Sequence, residues 1–152
     1  MQGRTRSIGH IAIPVWSIDD TRRFYGDVLG CPHGRLSETM IDFNFFGQHL
    51  VCHLASERLR GEAAIDATYN ERLSRHFGVI VEMAEWKRIA GRLEGRDVEY
   101  VNHPPKILHE GTEQEEGLIF MLDPARNAVE FKGFDVPGRL SKALGEIEIR
   151  AT

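Results

Sequence analysis

Ser7 to Val15 is a short β-branched run in which apolar residues alternate with other types, and it reads as a strand. Ser17-Ile18-Asp19-Asp20 then offers an N-cap serine with a carboxylate three residues on, so a helix begins there. Phe24, Tyr25, Val28 and Leu29 form its apolar stripe, Gly30 supplies a left-handed C-terminal residue, and Pro32 marks the stop. Met40 to Phe46 and His49 to Ala55 are further apolar runs, joined at Gly47-Gln48 as a tight hairpin. Segment 56–75 is charged, is interrupted by Gly61 and has no strand alternation, which makes it a connector.

From His76 the order repeats. A strand runs to Glu82, and a helix over Glu85 to Leu93 places Trp86, Ile89, Ala90 and Leu93 on one side. Val98 to Val101 is a strand, 102–116 a polar loop containing Pro104-Pro105, and Leu118 to Leu122 and Ala128 to Phe131 are strands flanking the turn Asp123 to Asn127. His10 and His76 stand 66 positions apart, and Arg22-Arg23 stand 65 from Lys87-Arg88. Val51 to Leu54 then aligns with Ala128 to Phe131, His53 against Glu130, with the longer second loop absorbing the larger offset. The chain is therefore α+β and built from a duplicated βαβββ module. Its domain spans 1–134, with modules 7–55 and 76–134 joined by connector 56–75 and followed by a tail, 135–152, in which Gly138 to Leu144 is weakly amphipathic.

Composition narrows the function classes. The 152 residues, 41% hydrophobic and 28% charged, suffice for one domain with a real core. A net charge of −4 and the lack of a basic run argue against nucleic acid as a partner. No apolar run approaches the roughly 20 residues of a spanning helix, and no signal peptide is evident at Met1, so the expected location is the cytoplasm. Cys31 and Cys52 are accordingly expected to be free thiols.

The repeat sets a metal-competent side chain at both ends of both modules: His10 and His76 on the first strands, His53 and Glu130 on the last. Strand parity sets His10 with Ala12 and Pro14 against Ile11, Ile13 and Val15, and His76 with Gly78 and Ile80 against Phe77, Val79 and Val81. Likewise His53 opposes Cys52 and Leu54, and Glu130 opposes Val129 and Phe131, so the candidates line the face turned away from the core. Two His and one carboxylate form a facial set that leaves coordination positions open for substrate. His103 and His109 lie in loop 102–116, which could act as a lid or simply be a solvated loop.

Three stretches carry a family resemblance: Gly9 to Val15, Arg23 to Gly30, and Asp123 to Phe131. With them the chain, over about residues 7–134, resembles the vicinal oxygen chelate superfamily of glyoxalase I, bleomycin- and fosfomycin-resistance proteins and extradiol dioxygenases. The resemblance implies paired βαβββ modules forming a curled, mixed eight-stranded sheet around a divalent metal, in a homodimer. It gives the three ligand roles to His10, His76 and Glu130. His53 falls where glyoxalases I carry a Glu that is both ligand and base, whereas extradiol dioxygenases place near there a His that acts on the substrate or on oxygen.

Dioxygenase-type chemistry on a small diol or phenolic substrate, with Fe(II) favoured over Mn, Zn, Ni or Co and His53 as the catalytic proton-transfer residue, is the expectation this resemblance supports. Gly117 to Leu122 lacks the Tyr that extradiol enzymes place before the ligand Glu. A glyoxalase-like lyase or isomerase, with His53 as a fourth ligand, is the alternative. Sequestration of a small molecule without turnover, as in bleomycin resistance, is the third.

Overall fold

The computed structural model describes residues 9–56 and 76–134. The connector, most of which is 57–75, and the C-terminal tail lie outside the described residues. The chain divides into two compact units, 1–66 with 122–127, and 67–121 with 128–152.

In the first unit, β1 (His10–Val15) leads to α1 (Ile18–Thr21), β2 (His33–Leu36), β3 (Met40–Phe45) and β4 (Gln48–Leu54), and the sheet order is β1-β4-β3-β2. β1 and β4 run parallel, with His10 opposite His49 and Pro14 opposite His53, and the other pairs are antiparallel. Ser17 caps α1 as expected, its hydroxyl accepting from the Asp20 N–H at 3.2 Å. Beyond Thr21 the expected α-helix widens into π-helical turns over Arg22–Val28. Leu29 N–H there reaches back five residues to the Phe24 carbonyl at 3.0 Å. Gly26 weakens the α-helix at its centre, and the wider turn buries the adjacent Phe24 and Tyr25 together. Gly30 ends the segment at φ 75°. The hairpin turns at Phe46-Gly47, one residue earlier than the sequence suggests, with both at positive φ and Asn44 Oδ1 accepting from Gly47 N–H at 2.8 Å.

The turn Asp123 to Asn127, although it falls within the second sequence module, belongs to this first unit. Asp123 is buried and accepts from the backbone N–H of Ala125 and Asn127 (2.9 and 2.7 Å), from Asn127 Nδ2 (2.8 Å) and from the Tyr25 hydroxyl (3.0 Å). Asn127 Nδ2 also donates to the Pro14 carbonyl at 2.8 Å. Burial lifts the Asp123 carboxyl above its usual range despite these bonds, and burial together with Asp123 lifts the Tyr25 phenol.

In the second unit, β5 (His76–Val81) precedes α2 (Met83–Leu93), then β6 (Glu99–Tyr100), β7 (Lys106–Leu108), β8 (Glu116–Leu122) and β9 (Ala128–Gly133). The order is β5-β9-β8-β6, with β7 on β8 and β5 parallel to β9. α2 buries Met83, Trp86, Ile89 and Leu93. Gly117 and Gly133 make room for Trp86, since a Cβ at either would lie 2.5 to 2.7 Å from its side-chain atoms. Gly117→Ala is therefore expected to cost about 1–3 kcal/mol, by overpacking against the buried Trp86 ring, read as a lowered Tm; an unchanged Tm would show that the Trp86 seat is loose.

The α+β fold and the paired modules are as expected. Among the described residues the expected single eight-stranded sheet is instead two separate mixed sheets, of four and five strands, with no closed barrel. The added strand is β7, inside the segment read as loop: three residues following two prolines give no alternation to read.

Candidate functional site

Two polar clusters lie on the open faces of the sheets, one in each unit. In both units the core takes the opposite face, as strand parity requires. On β1, Ile13 and Val15 are buried while His10, Ala12 and Pro14 are exposed, and on β9 Val129 and Phe131 are buried while Glu130 is half-buried.

In the second unit His76 and Glu130 meet, Nε2 to Oε2, at 3.2 Å. The close approach of β5 to β9 sets this pair: Gly78 stands opposite Glu130, and a Cβ at Gly78 would collide with the Glu130 carbonyl. Phe120 presents its edge or face to the His76 ring at 5.1 Å between centroids, fixing the imidazole from the side. Lys132 Nζ lies 3.8 Å from Glu130 and 3.5 Å from Glu116, so the two carboxylates share one ammonium group.

In the first unit His10 and His49 approach Nδ1 to Nδ1 at 2.9 Å, with rings inclined by 27°. His49 Nε2 lies 3.3 Å from Asp42 Oδ2. Arg35 holds the same carboxylate with its backbone N–H at 2.5 Å and its Nε at 2.7 Å. Burial alone would raise the Asp42 pKa, but the bonds from Arg35 and His49 outweigh it and hold the carboxyl below its usual range. Asp42 therefore contributes stability above the unfolded value of about 3.9, and that contribution is lost as pH falls through the lower folded value. Asp42→Asn should lower Tm at neutral pH and flatten the acid-side decline; an acid limb as steep as that of the wild type would contradict this.

The strand registers alter one alignment made from sequence. His10 faces His49 and His76 faces Ala128, so the ladder counterpart of Glu130 is Val51, two residues before His53. His53 is exposed and lies four residues along β4 from the partner of His10, about 13 Å at strand rise. In the sequence His49 simply flanks the Gly47-Gln48 turn; its place opposite His10 follows from a parallel register that no local pattern announces. His103 Nδ1 contacts the Pro104 carbonyl at 2.8 Å, and Glu115 Oε2 accepts from the Gly111 N–H at 2.7 Å, so loop 102–116 is braced locally. Cys31 and Cys52 are free and buried, and burial raises the Cys52 thiol far above its ordinary range, which makes it a poor nucleophile.

An imidazole nitrogen beside a carboxylate oxygen is a donor pair suited to a divalent ion, and His76 with Glu130 supplies it. Among the described residues, no group of three or more His, Cys, Asp or Glu side chains gathers closely enough to hold an ion. In the His10, His49 and Asp42 cluster the contacting nitrogens and the carboxylate face one another. No helix of the described residues is long and apolar enough to cross a membrane.

The chain has the fold of the glyoxalase/bleomycin resistance/dioxygenase proteins, the vicinal oxygen chelate architecture. It is similar to a glyoxalase/bleomycin resistance protein/dioxygenase from Alicyclobacillus acidocaldarius, with 28% identity and a TM-score of 0.67 over 86% of this chain and 94% of that one. It is also similar to the genomically encoded fosfomycin resistance protein FosX of Listeria monocytogenes (17%, TM-score 0.59, 85% and 93% covered). Lactoylglutathione lyase of Agrobacterium tumefaciens is a third such structure (20%, TM-score 0.57, 90% and 96% covered). No family model and no curated protein matches the sequence.

Proposed function

We propose that this protein is a divalent-metal-dependent enzyme acting on a small molecule that offers two neighbouring oxygens to the ion. The observation that carries the reading is the His76–Glu130 pair on the open face of β5 and β9. The ligand set is the one the family resemblance implies: His10, His76 and Glu130. His10 supports it by its exposed position at the start of β1, the strand that corresponds to β5 in the repeat. A variant of the Listeria FosX has been solved with Mn(II) and a dihydroxypropylphosphonic acid, a vicinal diol, which accords with this substrate class.

When bound, such an ion polarises both substrate oxygens and keeps positions open for them. Glu130 supplies the negative charge of the set, and Lys132 beside it tempers that charge. The family resemblance gives His53 the moving of a proton on the substrate; its place on β4 opposite Pro14, well along the strand from the partner of His10, argues only against a place among the ligands of an ion at His10. Two His and one carboxylate without a second acidic ligand favour dioxygenase-type chemistry with Fe(II) over proton transfer of the glyoxalase kind. Anaerobic metal reconstitution followed by oxygen uptake against a panel of catechols tests this. Retained iron with oxygen consumption is the expected result; uptake of Ni, Co, Zn or Mn with no oxygen consumed would favour the lyase or isomerase reading.

A further inference from the structure

The cluster in the first unit has a hydrogen-bond logic that determines which nitrogen of His10 is available. Asp42 is almost fully buried, and its carboxylate, held by two bonds from Arg35, can only accept. His49 Nε2 at 3.3 Å must therefore carry the proton toward it. A neutral imidazole has a single N–H, so His49 Nδ1 is bare and accepts. Its partner at 2.9 Å is His10 Nδ1, which must therefore be the donor, and this leaves the lone pair of His10 on Nε2.

We infer that Arg35, Asp42 and His49 form a positioning chain that locks His10 in the Nδ1–H tautomer, presenting Nε2 as the coordinating atom. Metal-bound imidazoles ordinarily have their second nitrogen anchored in this way, which fixes both tautomer and ring orientation. The chain is built to hold its geometry. His49 is pinned by its backbone N–H to the Gly9 carbonyl at 2.8 Å. The Asp42 carboxylate sits where a side chain at position 34 would intrude, a Cβ at Gly34 lying 2.6 Å from Oδ1. His49 touches neither substrate nor ion in this account; it acts through His10.

The inference rests on His10 being a ligand, but its first test does not. Long-range 1H–15N correlation spectra of the metal-free, full-length protein, recorded well above the imidazole titration range, report the tautomer of each histidine directly. The expected result is His10 as Nδ1–H and His49 as Nε2–H. His49→Gln retains an acceptor for His10 and a donor for Asp42, so it should keep the His10 tautomer and hold Mn(II) affinity within a few-fold. His49→Phe keeps a ring but no nitrogen, so it should release the tautomer and weaken Mn(II) binding roughly 10–100-fold. A wild-type spectrum with His10 as Nε2–H overturns the positioning chain, whatever the variants do. If the tautomers are as expected but His10→Ala binds Mn(II) as tightly as wild type, the ligand assignment fails and the chain is only structural.

Discussion

Glu130→Gln is expected to lower divalent-metal affinity by more than the roughly 10–100-fold that loss of a supporting hydrogen bond costs, while leaving the fold intact. The carboxylate is the only negative charge in the proposed ligand set. Without it, neutral imidazoles face an uncompensated dication. The amide keeps the size of the side chain, and the substitution lies on the face opposite Val129 and Phe131, both fully buried. Lys132 retains Glu116 at 3.5 Å, so no cation is stranded. His53→Gln should change metal affinity far less. Metal content after dialysis, read together with Tm, checks both variants: stoichiometric metal in Glu130→Gln but not in His53→Gln would reverse the assignment.

The largest expected effect on stability belongs to Asp123→Ala. This residue collects four hydrogen bonds inside the first unit, and its loss strands two backbone N–H groups and the buried Tyr25 hydroxyl. At about 1–3 kcal/mol for each buried group left unsatisfied, and with some relief from water entry, the cost is on the order of 4 kcal/mol. Burial raises the Asp123 carboxyl, so the wild type gives up part of the benefit of this network as pH climbs from about 3.9 through the raised folded value. Asp123→Asn should remove that pH dependence while retaining some of the bonds. Denaturant titration of the three proteins decides the matter; a loss below about 1 kcal/mol for Asp123→Ala would mean the turn is not the clamp that its bonds to Tyr25 and Asn127 indicate.

The elements that local chemistry announces were legible in the sequence, and those that depend on pairing were not. Ser17, Gly30 and the apolar spacing of α2 each declare themselves within a few residues, and the alternation around His10, His76 and Glu130 gave the correct open face for all three. β2 has no apolar rhythm to read, because all four of its residues are exposed. The π-helical turns are silent in the sequence because Phe24, Tyr25, Val28 and Leu29 satisfy an α-helical stripe equally well. The alignment of His53 with Glu130 differs from the observed ladder for a related reason. Parity fixes a face, but a shift of two residues preserves parity, and only the parallel ladder distinguishes Val51 from His53. The partnership of His10 with His49 and Asp42 joins residues 32 and 39 positions from His10, and no spacing rule in the chain connects them.

The central claim is the identity of the metal ligands, and anomalous diffraction at the metal edge from crystals of the Mn(II)-loaded protein tests it most directly. One ion per chain is expected, ligated by Nε2 of His10, Nε2 of His76 and the Glu130 carboxylate. An ion bound instead through His49 or His53, or the absence of any ion in contact with Glu130, would contradict it.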